Sequence, residues 1–121
     1  MQRVALAAAL ALAAATAAGA DAARGEQLYA RCAACHALEY DRVGPRHCDL
    51  LGRRAGSVPG FDYSPAMKRS KLVWTKENLS RFLANPLSVV PGTTMTYAGI
   101  DDPKERAELI AYLGAASCSK R

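Results

Sequence analysis

The five residues Cys32-Ala33-Ala34-Cys35-His36 decide how the rest of this 121-residue chain is interpreted. A C-x-x-C pair by itself also occurs in redox dithiols and in zinc sites. Here a histidine follows directly, and C-x-x-C-H is the pattern that attaches a c-type haem. A zinc site would need a second ligand pair, whereas His47 and Cys48 adjoin each other and Cys118 stands alone. The motif therefore predicts one covalently bound haem c.

The spacing inside this motif has a physical purpose. On a helical turn, residues three apart lie on one face, so the sulfurs of Cys32 and Cys35 can both form thioethers to one haem. His36 is then placed beneath the iron as a metal ligand. The competing interpretation is a chance C-x-x-C-H in a disulfide-rich secreted protein.

Residues 1–20 are predicted to be a signal peptide. Arg3 supplies the positive start, Val4–Ala18 is an almost unbroken Ala/Leu run, and Ala18-Gly19-Ala20 offers the small residues of a cleavage site. Cleavage is expected after Ala20, with Ala22 as the next candidate. A membrane anchor competes, but the apolar run is shorter than the roughly 20 residues that a spanning helix needs. We therefore expect export to the periplasm and one domain over residues 21–121.

The formal charge of the whole chain is +5, and loss of Arg3 removes one of these positive charges. This modest excess suits weak, steered docking on acidic protein surfaces. No nucleic-acid-binding motif or concentrated basic stripe is present, so a nucleic-acid partner is not expected. An oxidising compartment permits disulfides between the four cysteines.

Four helices are predicted from apolar spacing and capping residues. The last is the clearest, because Asp102-Pro103-Lys104-Glu105 combines a cap, a first-turn proline and the returning glutamate of a capping box. Gly114 is expected to end it. The other three begin near Ala22 and run into the haem motif, span Ser64–Ser70, and start after Thr75 to stop near Asn85-Pro86. No run alternates like a strand, so the fold class is all-α, with long ordered loops wrapped around a large ligand.

A second axial ligand should come from elsewhere in the chain. After removal of the signal peptide, the candidates are Met67, Met95 and His47. Met95 lies in an irregular loop far from His36, as a clamp on the other side of a haem requires. Met67 fits better as a packed helix residue, since a buried methionine is usually core filling.

Many short motifs in order make this sequence similar to the class I cytochromes c of the bacterial and mitochondrial type. They are Cys32–His36, Val43–Pro45, Gly52–Gly56, Gly60–Pro65, Trp74, Phe82–Pro86, Pro91–Met95 and Glu108–Leu113. The resemblance implies the cytochrome c fold, haem ligation by His36 and Met95, and a hydrogen bond from the His36 ring to the Pro45 carbonyl. It also implies that Arg53, Tyr63 and Trp74 donate to the haem propionates. Without this role, Arg53 would be a surface charge, and Tyr63 and Trp74 would be apolar core residues.

The chain departs from that family pattern at several positions. Phe82 stands where members often have a tyrosine, and Met67 where many have an asparagine, so fewer hydrogen bonds are expected around Met95. Lysines near the haem edge are replaced by Leu87, Ser88 and Thr94. The remaining basic cluster is either a docking face or a solvated surface: Lys68, Arg69, Lys71 and Lys76.

His47-Cys48 is the other departure from the family. Because the haem engages Cys32 and Cys35, Cys48 and Cys118 are the pair left to form a disulfide, with two free thiols as the alternative. His47 is expected to pack or lie at the surface near Pro45.

The function predicted from these features is that of a monomeric electron carrier, not an enzyme. A filled His/Met iron transfers electrons and binds no substrate. The resemblance implies a membrane cytochrome bc complex or a periplasmic dehydrogenase as donor, and an oxidase or a photosynthetic reaction centre as acceptor. Two alternatives remain open: the haem subunit of a periplasmic oxidoreductase, and a ligand-binding or peroxidatic haem protein with an open distal site.

Overall fold

A computed structural model describes residues 21–118. The chain there forms five helices and no β-sheet; one isolated bridge pairs Arg54 with Val73. The helices are α1 (residues 21–29), α2 (Pro65–Arg69), α3 (Lys76–Ala84), α4 (Pro86–Val89) and α5 (Pro103–Ala115). None of these helices is long and apolar enough to cross a bilayer. The predicted signal peptide, residues 1–20, lies outside the described residues.

The capping residues chosen from the sequence are confirmed. The Ser64 hydroxyl accepts the Met67 N–H at 3.1 Å, and the Thr75 hydroxyl accepts the Asn78 N–H at 3.1 Å. The Asp102 carboxylate accepts the Lys104 N–H at 2.9 Å. Each side chain satisfies one of the backbone donors that a helix start leaves without an intrahelical partner.

Three details of the helix prediction are wrong. Helix α1 ends at Tyr29, so the haem motif lies in a series of turns and not on a continuous helix. Helix α5 continues one residue beyond Gly114. The carboxylate of Glu105, predicted to return to its cap, is directed at the Arg31 guanidinium at 3.1 Å instead. A charged partner on another element outcompeted the local capping bond.

The short helix α4 was not predicted from the sequence. Its start has the expected signals, since the Asn85 side chain accepts the Ser88 N–H at 3.3 Å and Pro86 occupies the first turn. The same Asn-Pro pair was interpreted only as the end of the preceding helix. A helix of one turn has too few residues to show an apolar period, which is why the pattern alone missed it.

The core is one cluster of buried aliphatic and aromatic side chains shared by all the longer helices. Leu28 of α1 and Leu109 of α5 are almost completely buried, at 1% and 0% exposure. Leu79, Phe82 and Leu83 form the buried face of α3, as their spacing predicted. Burying such side chains stabilises the fold by about 1.5–3 kcal/mol each.

Helices α1 and α5 cross at Gly25. A Cβ atom at this position would lie 2.7 Å from Tyr112 Cβ and 2.9 Å from the backbone carbon of Glu108. Only glycine therefore permits this approach of the two backbones. The ion pair between Arg31 and Glu105 links the end of the same chain segment to α5.

The C-terminal end of the domain is tied to the loop that follows Pro45. The Asp49 N–H donates to the Ala116 carbonyl at 2.9 Å, and the Cys118 N–H donates to the Asp49 carboxylate at 3.1 Å. The Cα atoms of Cys48 and Cys118 lie 5.2 Å apart, with their sulfurs in contact. This separation is within the range that a disulfide spans.

We predict that Gly25→Ala destabilises the protein by about 1–3 kcal/mol, the typical cost of overpacking a tight contact. The added methyl group meets backbone and Cβ atoms of α5, which cannot rotate away. The measurement is the denaturant midpoint of the purified protein. Gly114→Ala is the matched control, because its Cβ would meet only the Cδ1 end of Leu51. Equal loss of stability in the two variants would contradict the conclusion that glycine is required where α1 crosses α5.

Candidate haem site

A cavity of about 450 Å³ occupies the centre of the domain. Its volume is in the range of cofactor sites, and its walls are mostly apolar with a few placed polar groups, as such sites usually are. Side chains from separate parts of the chain border it, including Cys32, Cys35, His36, Pro45, Arg53, Tyr63, Met67, Trp74, Phe82 and Met95. The structure therefore brings all the predicted site residues to one cavity.

The haem motif forms one wall as a compact set of turns. The Cys32 N–H donates to the Tyr29 carbonyl at 2.8 Å, and the Cys35 and His36 N–H groups both donate to the Cys32 carbonyl, at 3.1 and 2.9 Å. Cys32 is partly buried, Cys35 is exposed, and both thiols are free of disulfides. Burial raises the pKa of the Cys32 thiol.

His36 is buried against the opposite end of the same loop. Its Nδ1 lies 2.8 Å from the Pro45 carbonyl oxygen. A carbonyl can only accept, so Nδ1 carries the proton and the Nε2 lone pair is left available to a metal. Burial lowers the pKa of His36, which favours the neutral ring that metal ligation needs. Gly44 lies flat against this ring, and a Cβ there would come within 2.6 Å of Nδ1.

His47 lies against the other side of the His36 ring, a contact that sequence reasoning missed. The two imidazoles are stacked with centroids 4.0 Å apart and an interplanar angle of 22°. The Tyr29 hydroxyl lies 3.0 Å from His47 Nδ1. Burial, followed by the effects of His36 and Arg53, lowers the pKa of His47 to about 3, so its ring is neutral near pH 7. Nothing in the local sequence signals this stack or the contact with Tyr29, because the three residues come from separate segments of the chain.

Both predicted methionine candidates border the cavity. Met95 is partly buried in the loop after α4, where its N–H donates to the Thr93 hydroxyl at 3.2 Å. Met67 is buried in α2 and belongs to the core cluster. The packed position of Met67 matches its expected core role. Ligation by Met95 stays a prediction at this point.

The three predicted propionate donors have different surroundings. The Arg53 guanidinium donates to the carbonyls of Arg46 and Cys48, at 2.9 and 2.6 Å. The Tyr63 hydroxyl accepts the Val58 N–H at 3.0 Å, which leaves its own hydrogen available to donate. Trp74 is 6% exposed, and its ring is 5.0 Å from that of Phe82. Within residues 21–118 its indole N–H has no hydrogen-bond acceptor.

These features together fit a covalently bound haem. Two free thiols, a neutral imidazole with one nitrogen unprotonated, and a thioether side chain are the donors that c-type haem chemistry uses. An apolar cavity suits the macrocycle, and the indole N–H of Trp74, which borders the cavity, is a suitable donor to a carboxylate. The site and the all-α fold thus define a haem c protein.

Comparison with known proteins identifies the family. The sequence model described as cytochrome c matches residues 22–117. The chain is 42% identical to cytochrome c2 of Rhodomicrobium vannielii over 109 residues, covering 88% of this chain and 87% of that protein. It is 43% identical to cytochrome c2 of Agrobacterium tumefaciens over 106 residues, covering 83% of this chain and 96% of that protein.

A solved structure is also similar. Cytochrome cH from Methylobacterium extorquens aligns with a TM-score of 0.75 and 44% sequence identity, over 77% of this chain and 96% of that one. The chain belongs to the cytochrome c family. It carries one haem c attached through Cys32 and Cys35, and it is an electron carrier and not an enzyme.

We predict that Cys35→Ser leaves the haem attached by one thioether through Cys32. The pyridine haemochrome band should then move from the position typical of two thioethers toward that of non-covalent haem. Cys48→Ser is the matched control and should leave the band unchanged, because Cys48 contacts Cys118 and does not border the cavity. A two-thioether spectrum in the Cys35 variant would contradict the assignment of the attachment cysteines.

Proposed function

We propose that this protein is an exported one-electron carrier of the periplasm whose haem iron is ligated by His36 and Met95. The observation that carries the proposal is that the Met95 side chain and the neutral His36 imidazole border the same apolar cavity as the two attachment thiols. Relatives named cytochrome c2 support it.

In this proposal the two ligands have separate tasks. His36 is held in one orientation by its hydrogen bond to Pro45, so little rearrangement accompanies a change of iron charge. Met95 would supply the second iron ligand and would keep substrates and oxygen from the iron. The bound haem supplies the reversible change between ferric and ferrous iron. A neutral thioether and an apolar cavity both disfavour the extra positive charge of the ferric state, which raises the reduction potential.

The surroundings of Met95 distinguish this chain from the family pattern. Phe82, which stands in place of the frequent tyrosine, is 5% exposed and offers no hydroxyl to the cavity. Met67 is likewise without a hydrogen-bond donor on its side chain. Neither of these two side chains can therefore donate a hydrogen bond to the Met95 thioether.

The partners we propose are a membrane cytochrome bc complex or a periplasmic dehydrogenase as donor, and an oxidase or a photosynthetic reaction centre as acceptor. The four cations of the basic cluster, Lys68, Arg69, Lys71 and Lys76, are all exposed. Val43, which borders the cavity, is 78% exposed and offers an apolar contact beside it. Exposed charges steer association and are screened by salt, so docking should be fast, weak and sensitive to ionic strength.

We predict that Met95→Ala removes the long-wavelength Met–iron charge-transfer absorption of the ferric protein. The reduction potential should fall by on the order of 0.1 V or more. Changes of axial ligand alter haem potentials over a range of ~0.8 V. The reduced variant should also bind carbon monoxide rapidly at neutral pH.

Met67→Leu is the matched control for this experiment and should keep the absorption and exclude carbon monoxide. Loss of the absorption in the Met67 variant alone would indicate that Met67 of α2, and not Met95, is the iron ligand. Rapid carbon monoxide binding by the unmodified reduced protein would favour the ligand-binding or peroxidatic alternative. Stable copurification with a catalytic chain would favour the oxidoreductase subunit.

We further propose that residues 1–20 are removed on export and that Cys48 and Cys118 form a disulfide in the mature domain. The support is the Ala18-Gly19-Ala20 pattern and the 5.2 Å separation of the two Cα atoms. A cross-link across 70 residues would stabilise the protein by about 4 kcal/mol through the unfolded chain.

We predict that protein purified from the periplasm begins at Asp21 and takes up a thiol-alkylating reagent under denaturing conditions only after reduction. Intact mass spectrometry measures both properties in one experiment. The double variant Cys48→Ser, Cys118→Ser should lose roughly 2–4 kcal/mol of stability, since the haem already constrains part of the unfolded chain. Alkylation without reduction would contradict the disulfide, and a retained residue 1–20 segment would contradict the signal peptide.

A further inference from the structure

We propose that His47, held by Tyr29, acts as a positioning residue for the axial ligand His36 and lowers the reduction potential of the haem. This proposal rests on the proposed ligation by His36. His47 takes no part in haem attachment, in the proposed ligation by Met95 or in the predicted propionate bonds. The proposal gives this side chain a role.

The His47 and His36 rings are in close face-to-face contact. The His47 and His36 centroids are 4.0 Å apart at an angle of 22°, so the two rings face each other nearly in parallel. The Pro45 carbonyl restrains the His36 ring in its plane, and His47 covers one face of it. The ring can therefore neither rotate about Cβ nor tilt without breaking one of these two contacts.

His47 is itself held by two hydrogen bonds, one from its side chain and one from its backbone. Its Nδ1 lies 3.0 Å from the Tyr29 hydroxyl, and the Tyr29 ring packs at 5.5 Å on Tyr112 of α5. Its backbone N–H donates to the Ala37 carbonyl at 3.1 Å, one residue beyond the His36 that it stacks on.

The backbone on either side of His47 is fixed as well. The Cys48 N–H donates to the Leu38 carbonyl at 2.8 Å. The Arg53 guanidinium bonds the carbonyls of Arg46 and Cys48, which flank His47 in the chain. Such a supported contact transmits the packing of α1 and α5 to the ligand ring.

An aromatic ring face over His36 would affect the two iron states differently. Ligation to ferric iron draws electron density from the His36 ring, which then carries more positive charge than in the ferrous state. A positively polarised group is attracted to the electron-rich face of a neighbouring ring, and an aliphatic side chain offers no such face. The stack thus favours the ferric state and lowers the potential.

The competing explanation is that His47 only fills space. A purely packing role would make its replacement change the stability of the protein but not the ferric/ferrous equilibrium. The two roles are therefore separated by a potential and by a spectroscopic signature of ring orientation, and not by stability.

The test compares His47→Leu, His47→Phe and Tyr29→Phe in the purified haem-loaded protein at neutral pH. For His47→Leu we expect the ferric/ferrous equilibrium to shift two- to fivefold toward ferrous. At 59 mV per tenfold for one electron, this is a rise of about 20–40 mV in midpoint potential. His47→Phe keeps a ring face and should fall between Leu and the unmodified protein.

Tyr29→Phe removes only the hydroxyl that orients His47. It should move the haem-methyl proton shifts of the ferric protein, which report the orientation of axial ligand rings, with a smaller change of potential. Tyr112→Phe is its matched control and should leave both unchanged, because Tyr112 contacts the Tyr29 ring and not His47.

An unchanged or lowered potential in His47→Leu, with the Met–iron absorption intact, would overturn this inference and leave the carrier function standing. Unmoved haem-methyl shifts in Tyr29→Phe would equally remove the positioning role. If the unmodified protein itself lacks the Met–iron absorption or a low-spin spectrum, the proposed ligation fails first. If only His47→Phe folds, a potential equal to or below that of the unmodified protein would overturn the inference in the same way.

Discussion

The attachment of one rigid planar group through residues 32–36 is the constraint on which the rest of this structure depends. Two sulfurs and one imidazole must face the same side of a short segment, and the turns that follow Tyr29 provide this by directing two N–H groups at the Cys32 carbonyl. Every other element then has to leave a cavity of about 450 Å³ instead of filling the centre. A domain of this size has a small core, and the haem completes it.

Several contacts hold the side of the cavity next to His36 in place. Pro45 fixes one edge of the His36 ring, Gly44 lies against it, and His47 covers a face. The contact between Cys48 and Cys118 and the two bonds of the Asp49 segment connect this region to the end of α5. The Met95 side, by contrast, is an irregular loop with a single side-chain bond at the Met95 N–H. Rigid support on one side and a looser loop on the other would suit the proposed ligand pair, in which only the histidine is preorganised.

Particular residues show where sequence reasoning succeeds and where it stops. Ser64, Thr75 and Asp102 could be assigned as caps because a cap acts on the backbone within three residues of itself. Glu105 could not, because Arg31 competes for its carboxylate from a segment more than seventy positions away. The single-turn helix α4 was not predicted for a different reason, because four residues are too few to show a full helical period of apolar residues.

The sequence by itself determined the cofactor, the manner of its attachment, the family and the all-α class, because these depend on residue identity at short spacing along the chain. It also determined which side chains border the cavity, through motifs preserved in order. Only the tertiary structure decided how the ligand ring is held. The stack of His47 on His36, and the hydroxyl of Tyr29 beside it, exist because α1 crosses α5 at Gly25 and the loop after Pro45 folds back beneath the motif. Contacts between segments distant in the chain leave no local pattern, and that is the physical reason the haem motif could be recognised while its support could not.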